Sequence, residues 1–266
     1  MRVERVRGEL SGEQQVVRTY RYLRLSLVLL ALMLTVSVVL TSVHTGVVLD
    51  SISEYYYSSS RGVLVASLVA IGVGLVAQRG KNEAEDVALN LAGMFAPVVA
   101  FVPTPRGRPR DFTVESIDNN MTALLVAGAV AVVGAGLLAL TALDRQGGRR
   151  AMSRAQSWGL PLAALVVAGA ALWLRLWRDG FVAYAHYTAA IGMFVCIALA
   201  VLVNARVAAH LRRSYTVVFA LMLASQLAWL SAPFWSHAVL LVEALLIGLF
   251  AVFWSVQTWE LRYPDA

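Results

Sequence analysis

The chain has almost no cysteine and little charge. Cys196 is the only cysteine among 266 residues, which excludes an internal disulfide and a cysteine-based metal site. Charged residues make up 14% of the chain and hydrophobic residues 59%. Soluble domains carry roughly 25% charged residues. A soluble domain cannot bury so much apolar sequence in its core, so the composition predicts a single integral-membrane unit.

Sequence motifs of several enzyme classes are also absent. There is no phosphate-binding glycine loop, no nucleophile elbow and no His-Glu-x-x-His zinc motif. The net charge of +6 comes from basic residues, nearly all arginine, in short joints between apolar runs. That placement is typical of topology signals and anionic lipid headgroups. We therefore expect membrane lipids and other membrane proteins as partners, with no nucleic acid and no cofactor.

Eight apolar runs are each long enough for a helix to cross ~30 Å of hydrocarbon. The sequence thus predicts an all-α polytopic bundle over residues 22–257, after a basic cytoplasmic segment (1–21) and before a cytoplasmic tail (258–266). The first run is longer than the core of a secretory signal and lacks a clear cleavage site, which favours an uncleaved helix. The predicted spans are about 22–43, 62–78, 84–103, 121–143, 159–177, 181–203, 214–233 and 237–257.

The basic joints orient these spans. Joints 79–83, 144–158 and 204–213 are basic, and the positive-inside rule places them in the cytoplasm together with both termini. The 105–118 loop carries three arginines and falls outside, so it departs from the rule. The arrangement predicts a multi-pass protein of a bacterial inner (plasma) membrane.

One row of small residues predicts where helices meet. Ala88, Ala92, Ala96 and Ala100 recur every four residues in the third span. Small side chains at that spacing let two helix backbones approach closely.

Polar residues near the outer boundary form the first candidate site. Glu243 lies about two turns inside the eighth span, where an acid is costly unless it faces the bundle interior, a partner or water. Structural hydrogen bonding explains it about as well as function does. His237 and Glu243 are six residues apart and point about 120° from each other on a helix, so the spacing predicts no metal site. The candidate residues are Ser51, Ser53, Glu54, His186, His237 and Glu243.

A second candidate is a polar face near the inner boundary. Asp86 and Asn90 share one face of the third span with Gly93 and Pro97. The alternative is structural: acids in a first turn stabilise the helix N-terminus, and Asn90 can bond a neighbouring helix.

Several of these residues resemble a known motif set. They are Ser51-Ile52-Ser53-Glu54-Tyr55-Tyr56, Arg61, Arg79-Gly80, Asn90-Leu91-Ala92-Gly93, Val102-Pro103-Thr104, Ala185-His186-Tyr187 and Glu243. The set is similar in outline to bacterial multi-pass membrane proteins of unassigned activity and to the DRAM/Frag/Sfk-like families, which share an Ile-Ser loop after the first helix. The chain departs from them by an extra pair of spans, the fourth and fifth. It resembles more remotely the alkaline ceramidase and progestin receptor superfamily, which implies zinc-dependent hydrolysis, but it lacks their two-histidine pattern in the last helix.

Three functions remain as hypotheses. The favoured one is non-enzymatic: binding of a lipid or small ligand in an outward-facing cavity, or service as a membrane partner subunit. The alternatives are an intramembrane metal-dependent lipid hydrolase and a small proton-coupled transporter that depends on Glu243. Convergence of Ser53, His186 and Glu243 would favour a binding site or an enzyme, whereas their separation by apolar side chains would favour a scaffold.

Overall fold

The computed structural model describes residues 12–104, 114–141, 154–229 and 235–260. Within these ranges the chain contains no strand, and the predicted all-α bundle is confirmed. Six helices are long and apolar enough to cross a membrane; α2 is apolar but shorter. The helices are α1 (Gly12–Thr45), α2 (Arg61–Ala77), α3 (Glu83–Phe101), α4 (Val114–Thr141), α5 (Arg154–Leu176), α6 (Arg178–Val207), α7 (Arg212–Ala228) and α8 (Ala238–Glu260).

Three helices begin five or more residues before the spans that the apolar runs predict. α1 begins ten residues before the predicted span, because no glycine or proline interrupts residues 13–45 and the polar residues there are good helix formers. α4 begins at Val114, so Glu115 and Asp118 lie on its first turns and not in a loop. α5 begins at Arg154. Parts of the predicted N-terminal segment, the 105–118 loop, the 144–158 joint, the seventh span and the tail lie outside the described residues.

Contacts between polar side chains define two ends of the bundle. At one end, here called the Glu85 end, Glu85 of α3 accepts hydrogen bonds from Asn204 of α6 and Gln257 of α8. At the opposite end, the Ser53 end, residues from the starts of α6 and α8 meet the loop between α1 and α2. Consecutive helices therefore run in opposite directions.

α3 lies at the centre of the bundle and packs most extensively against α6 and α2. The predicted alanine row is buried, at 7% exposure or less for each of the four residues. On the α2 side the two backbones almost touch. A Cβ added to Gly93 would lie 2.6 Å from the Gly72 carbonyl oxygen, so this crossing requires glycine.

α4 and α5 form a pair at the edge of the bundle. α4 contacts mainly α5, and most side chains of both helices are exposed. Ile117 and Met121 attach the start of α4 to Phe181 in a small buried cluster. An exposed ion pair between Asp118 and Arg178 lies beside that cluster.

Candidate functional site

The loop of residues 46–60, here called the Ser53 loop, is fixed to the beginning of α8. The backbone N–H of Leu240, in the first turn of α8, donates to the Asp50 carbonyl at 2.9 Å. Glu243, one turn further, accepts from the backbone N–H groups of Ile52 (2.5 Å) and Ser53 (3.4 Å). A carboxylate bonded to two successive amides can hold the loop against the helix.

Tyrosines and hydroxyls fasten the same loop to α1 and to the end of α3. The Tyr55 hydroxyl bonds Ser42, and the Ser60 hydroxyl bonds Thr41 at 2.7 Å. Tyr57 donates to the Thr104 carbonyl at 2.8 Å. Partial burial raises the pKa of the Tyr57 hydroxyl, so it remains a donor at neutral pH. These contacts hold the loop as an ordered cover over the bundle.

Three predicted site residues converge beneath this cover. The Ser53 hydroxyl lies 2.7 Å from Glu243 Oε1 and 3.0 Å from His186 Nε2. His186 is 3% exposed, and its other ring nitrogen, Nδ1, lies 2.7 Å from the carbonyl oxygen of Val102. Residues from the loop, α6 and α8 thus share one hydrogen-bonded chain that ends on the backbone of α3.

The position of Val102 explains why its carbonyl can accept from a side chain. α3 ends at Phe101, and Val102 is its C-terminal cap. Pro103 follows directly and has no backbone N–H with which to continue the helix. The last carbonyls of a helix have no partner within it, so the Val102 oxygen is free to orient His186.

Counting protons restricts the chemistry of this chain. A carbonyl oxygen only accepts, so His186 Nδ1 carries a proton and donates to Val102. The Ser53 hydroxyl has one proton but two partners. Ser53 can therefore donate to only one of them. The other contact is a hydrogen bond only if His186 Nε2 or the Glu243 carboxyl carries a proton and donates it to Ser53 Oγ. In either arrangement His186 and Glu243 together carry no net charge, which suits groups inside a membrane bundle.

An apolar cavity of about 70 Å³ opens beside the three polar side chains. Its lining runs along α6 from His186 to Ile197, a distance of about 16 Å at the helical rise per residue. The polar side chains lie at one end of this lining, and the cavity is here called the slot. The deeper walls include Ala31, Ile71, Met193, Ile197 and Phe250.

The other outer-side candidates are not part of the convergent group. Ser51 and Glu54 bond each other, and the Ser51 hydroxyl caps the short 3-10 helix Ile52–Tyr57. His237 lies with its Nδ1 3.1 Å from Asp50 Oδ1, and both side chains are about two-fifths exposed. His237 therefore pairs with Asp50 of the loop. No group of three His, Cys, Asp or Glu side chains suited to a metal ion occurs among the described residues.

Of the two inner-side candidates, Asp86 holds the turn before α3. Asp86 accepts from the backbone N–H of Gly80 at 3.0 Å, and Asn82 caps α3 by accepting from Ala84 and Glu85. Asn90 is half-buried. A polar function for Asp86 and Asn90 stays a prediction.

A second buried polar cluster lies at the Glu85 end. Glu85 is 1% exposed and accepts from Asn204 Nδ2 (2.6 Å), Gln257 Nε2 (2.8 Å) and the backbone N–H of Lys81 (2.7 Å). Arg24, 4% exposed, donates to the Gln257 carbonyl at 2.8 Å. The cluster joins α1, α3, α6 and α8 at the end opposite the cavity.

This cluster was not predicted, because the acids in the first turn of the third span, of which Glu85 is one, were expected only to stabilise the helix N-terminus. A signal was present, because Glu85 precedes Ala88, Ala92 and Ala96 by three, seven and eleven residues. It therefore belongs to the buried alanine face, whereas Asp86 does not.

No protein-family model, curated protein or solved structure matches this chain. The resemblances described above therefore stay predictions.

Proposed function

We propose that the protein binds a single-chain lipid, with the polar end of the lipid at Ser53, His186 and Glu243 and its hydrocarbon chain in the slot. The convergence of these three side chains at one end of an otherwise apolar cavity carries the proposal. Ligand sites combine apolar walls with a few placed polar groups in this way. The small volume of the slot favours one unbranched chain.

The proposed setting is a bacterial plasma membrane that the chain crosses eight times, with both termini in the cytoplasm. The alternating helix directions support an even number of crossings. In this orientation the Ser53 end faces away from the cytoplasm, so the polar end of the lipid lies near the outer membrane boundary.

Photo-crosslinking tests the binding proposal. The probe is a fatty acid that carries a diazirine on its chain and an alkyne for detection, added to purified protein in detergent. We expect crosslinks in the α6 segment 186–197 and in the α8 segment 243–250, mapped by mass spectrometry. Crosslinks confined to the exposed faces of the bundle would contradict the proposal.

A matched pair of variants separates the cavity from the lipid-facing surface. Ala190 lines the slot, so Ala190→Phe fills it and is expected to reduce crosslinking in α6 and α8. Val195, on the same helix, is 42% exposed, and Val195→Phe is expected to leave crosslinking unchanged. Gel filtration of both variants checks that each remains folded.

A further inference from the structure

We propose that Ser53 is a nucleophile and His186 its general base, so that the site cleaves the ester bond of a single-chain lipid ester. The inference rests on the proposed binding function, since it uses the same cavity to hold the acyl chain. A serine hydroxyl is a weak nucleophile unless a positioned base takes its proton, and that base is itself oriented by a third group. Ser53, His186 and the Val102 carbonyl lie in that order.

The orientation of the imidazole is the first supporting observation. Because Nδ1 donates to Val102, a neutral His186 presents the lone pair of Nε2 to the Ser53 hydroxyl at 3.0 Å. The ring is buried, and its hydrogen bond to Val102 holds it in that orientation. The backbone carbonyl fills the orienting role that an acidic side chain has in other serine enzymes.

The cavity supplies the second observation. Ser53 and His186 both line its polar end, and the apolar walls begin directly beside them. An acyl chain that occupies the slot therefore brings its carbonyl group to the Ser53 hydroxyl. Water needed later in the reaction enters from the same end, where the nearby Asp50 and His237 side chains are about two-fifths exposed.

The reaction balances with water as the only co-reactant. Ser53 Oγ forms a bond to the acyl carbon as its proton passes to His186 Nε2. The bond between the acyl carbon and the alcohol oxygen breaks, and the alcohol leaves with that proton. Water then attacks the acyl-serine, gives a proton to Nε2 and releases the fatty acid, while Ser53 recovers its proton from His186.

Glu243 is a positioning residue in this scheme. It accepts from the Ile52 and Ser53 amides and so fixes the loop. Its Oε1 also accepts from the Ser53 hydroxyl, which therefore has to rotate toward Nε2, 3.0 Å away, before His186 can take its proton.

A fluorophosphonate probe, which reacts covalently with activated serines, tests the inference on the full-length purified protein. We expect labelling of the peptide that contains Ser53, and hydrolysis of p-nitrophenyl octanoate. Ser53→Ala is expected to abolish both. His186→Asn retains a donor for Val102 but removes the base, and is expected to slow both reactions by at least about 100-fold.

Ser59 provides the matched control, because it is an exposed serine of the same loop. Ser59→Ala is expected to react as the unaltered protein does. Absence of labelling and hydrolysis, while the photoreactive fatty acid still crosslinks within the slot, would overturn the catalytic inference and leave the binding proposal standing. Failure of slot crosslinking would overturn the binding proposal instead. Labelling that survives Ser53→Ala would also refute the role of Ser53.

Discussion

The Ser53 hydroxyl lies 2.7 Å from Glu243 Oε1, although 190 residues separate the two in the chain. The contact joins the loop after the first helix to the last helix at the polar end of the cavity. Substitution of Glu243 can therefore separate a structural role from a chemical one.

Glu243→Gln is expected to preserve the site, whereas Glu243→Ala is not. The glutamine oxygen can accept from the Ile52 amide, and its NH₂ group can donate to Ser53 Oγ, which leaves the serine proton free to turn toward His186. Alanine leaves the Ile52 donor without its partner, which costs about 1–3 kcal/mol. Thermal unfolding in detergent and fluorophosphonate labelling measure the two effects. Equal losses for glutamine and alanine would show that the site needs the ionised acid.

Glu85→Leu is expected to destabilise the bundle by about 2–3 kcal/mol. It removes the carboxylate that accepts from both Asn204 and Gln257, so one N–H of each buried amide loses its acceptor. Glu83, in the same first turn of α3, is exposed, and Glu83→Leu serves as the control with an expected loss below about 1 kcal/mol. Denaturant titrations of both variants give the comparison. Similar losses would mean that the cluster contributes nothing beyond helix capping.

Gly93→Ala is expected to push α3 away from α2. The new methyl would lie 2.6 Å from the Gly72 carbonyl oxygen, and such overpacking destabilises by about 1–3 kcal/mol. Gly134→Ala in α4 is the matched control: no atom lies within 4 Å of the added Cβ, so the greater helix propensity of alanine should prevail. Unfolding temperatures of the two variants should therefore move in opposite directions. A neutral Gly93→Ala would show that the helices are not in close contact there.

Cysteine labelling tests the proposed orientation in the membrane. In a Cys196→Ala background, Val48→Cys places a thiol in the Ser53 loop and His210→Cys places one between α6 and α7; both positions are exposed. A membrane-impermeant maleimide should label Val48→Cys in intact cells and His210→Cys only after permeabilisation. The reverse pattern would invert the topology and place the cavity opening toward the cytoplasm.

The helices and their order could be predicted from the sequence because polar joints separate the apolar runs, although α2 and α7 have only 17 residues each and six helices are long and apolar enough to cross a membrane. The buried face of α3 was also predictable from its alanine row. The ends of the helices were harder to predict. α1 and α4 begin within polar sequence, and hydrophobicity does not mark where a helix begins when no glycine or proline interrupts it.

The candidate site was predicted only as a set of residues. Topology placed Ser53, His186 and Glu243 at one level of the bundle, but their convergence depends on the path of the loop and on the Val102 carbonyl. A backbone acceptor leaves no residue-type signal in a sequence. Neither does the choice between Ser51 and Ser53, because the turn that directs one hydroxyl toward His186 and the other toward Glu54 is a property of the folded loop.

The edge position of α4 and α5 leaves both helices outside the polar site. The side chains that meet at Ser53 come from the loop after α1 and from α6 and α8, with the backbone of α3; none comes from α4 or α5. Two antiparallel helices return the chain to the side of the membrane from which it left. Adding or removing such a hairpin therefore does not change the direction in which any later helix crosses the membrane. Relatives with or without such a hairpin would have the same polar constellation on the same side of the membrane.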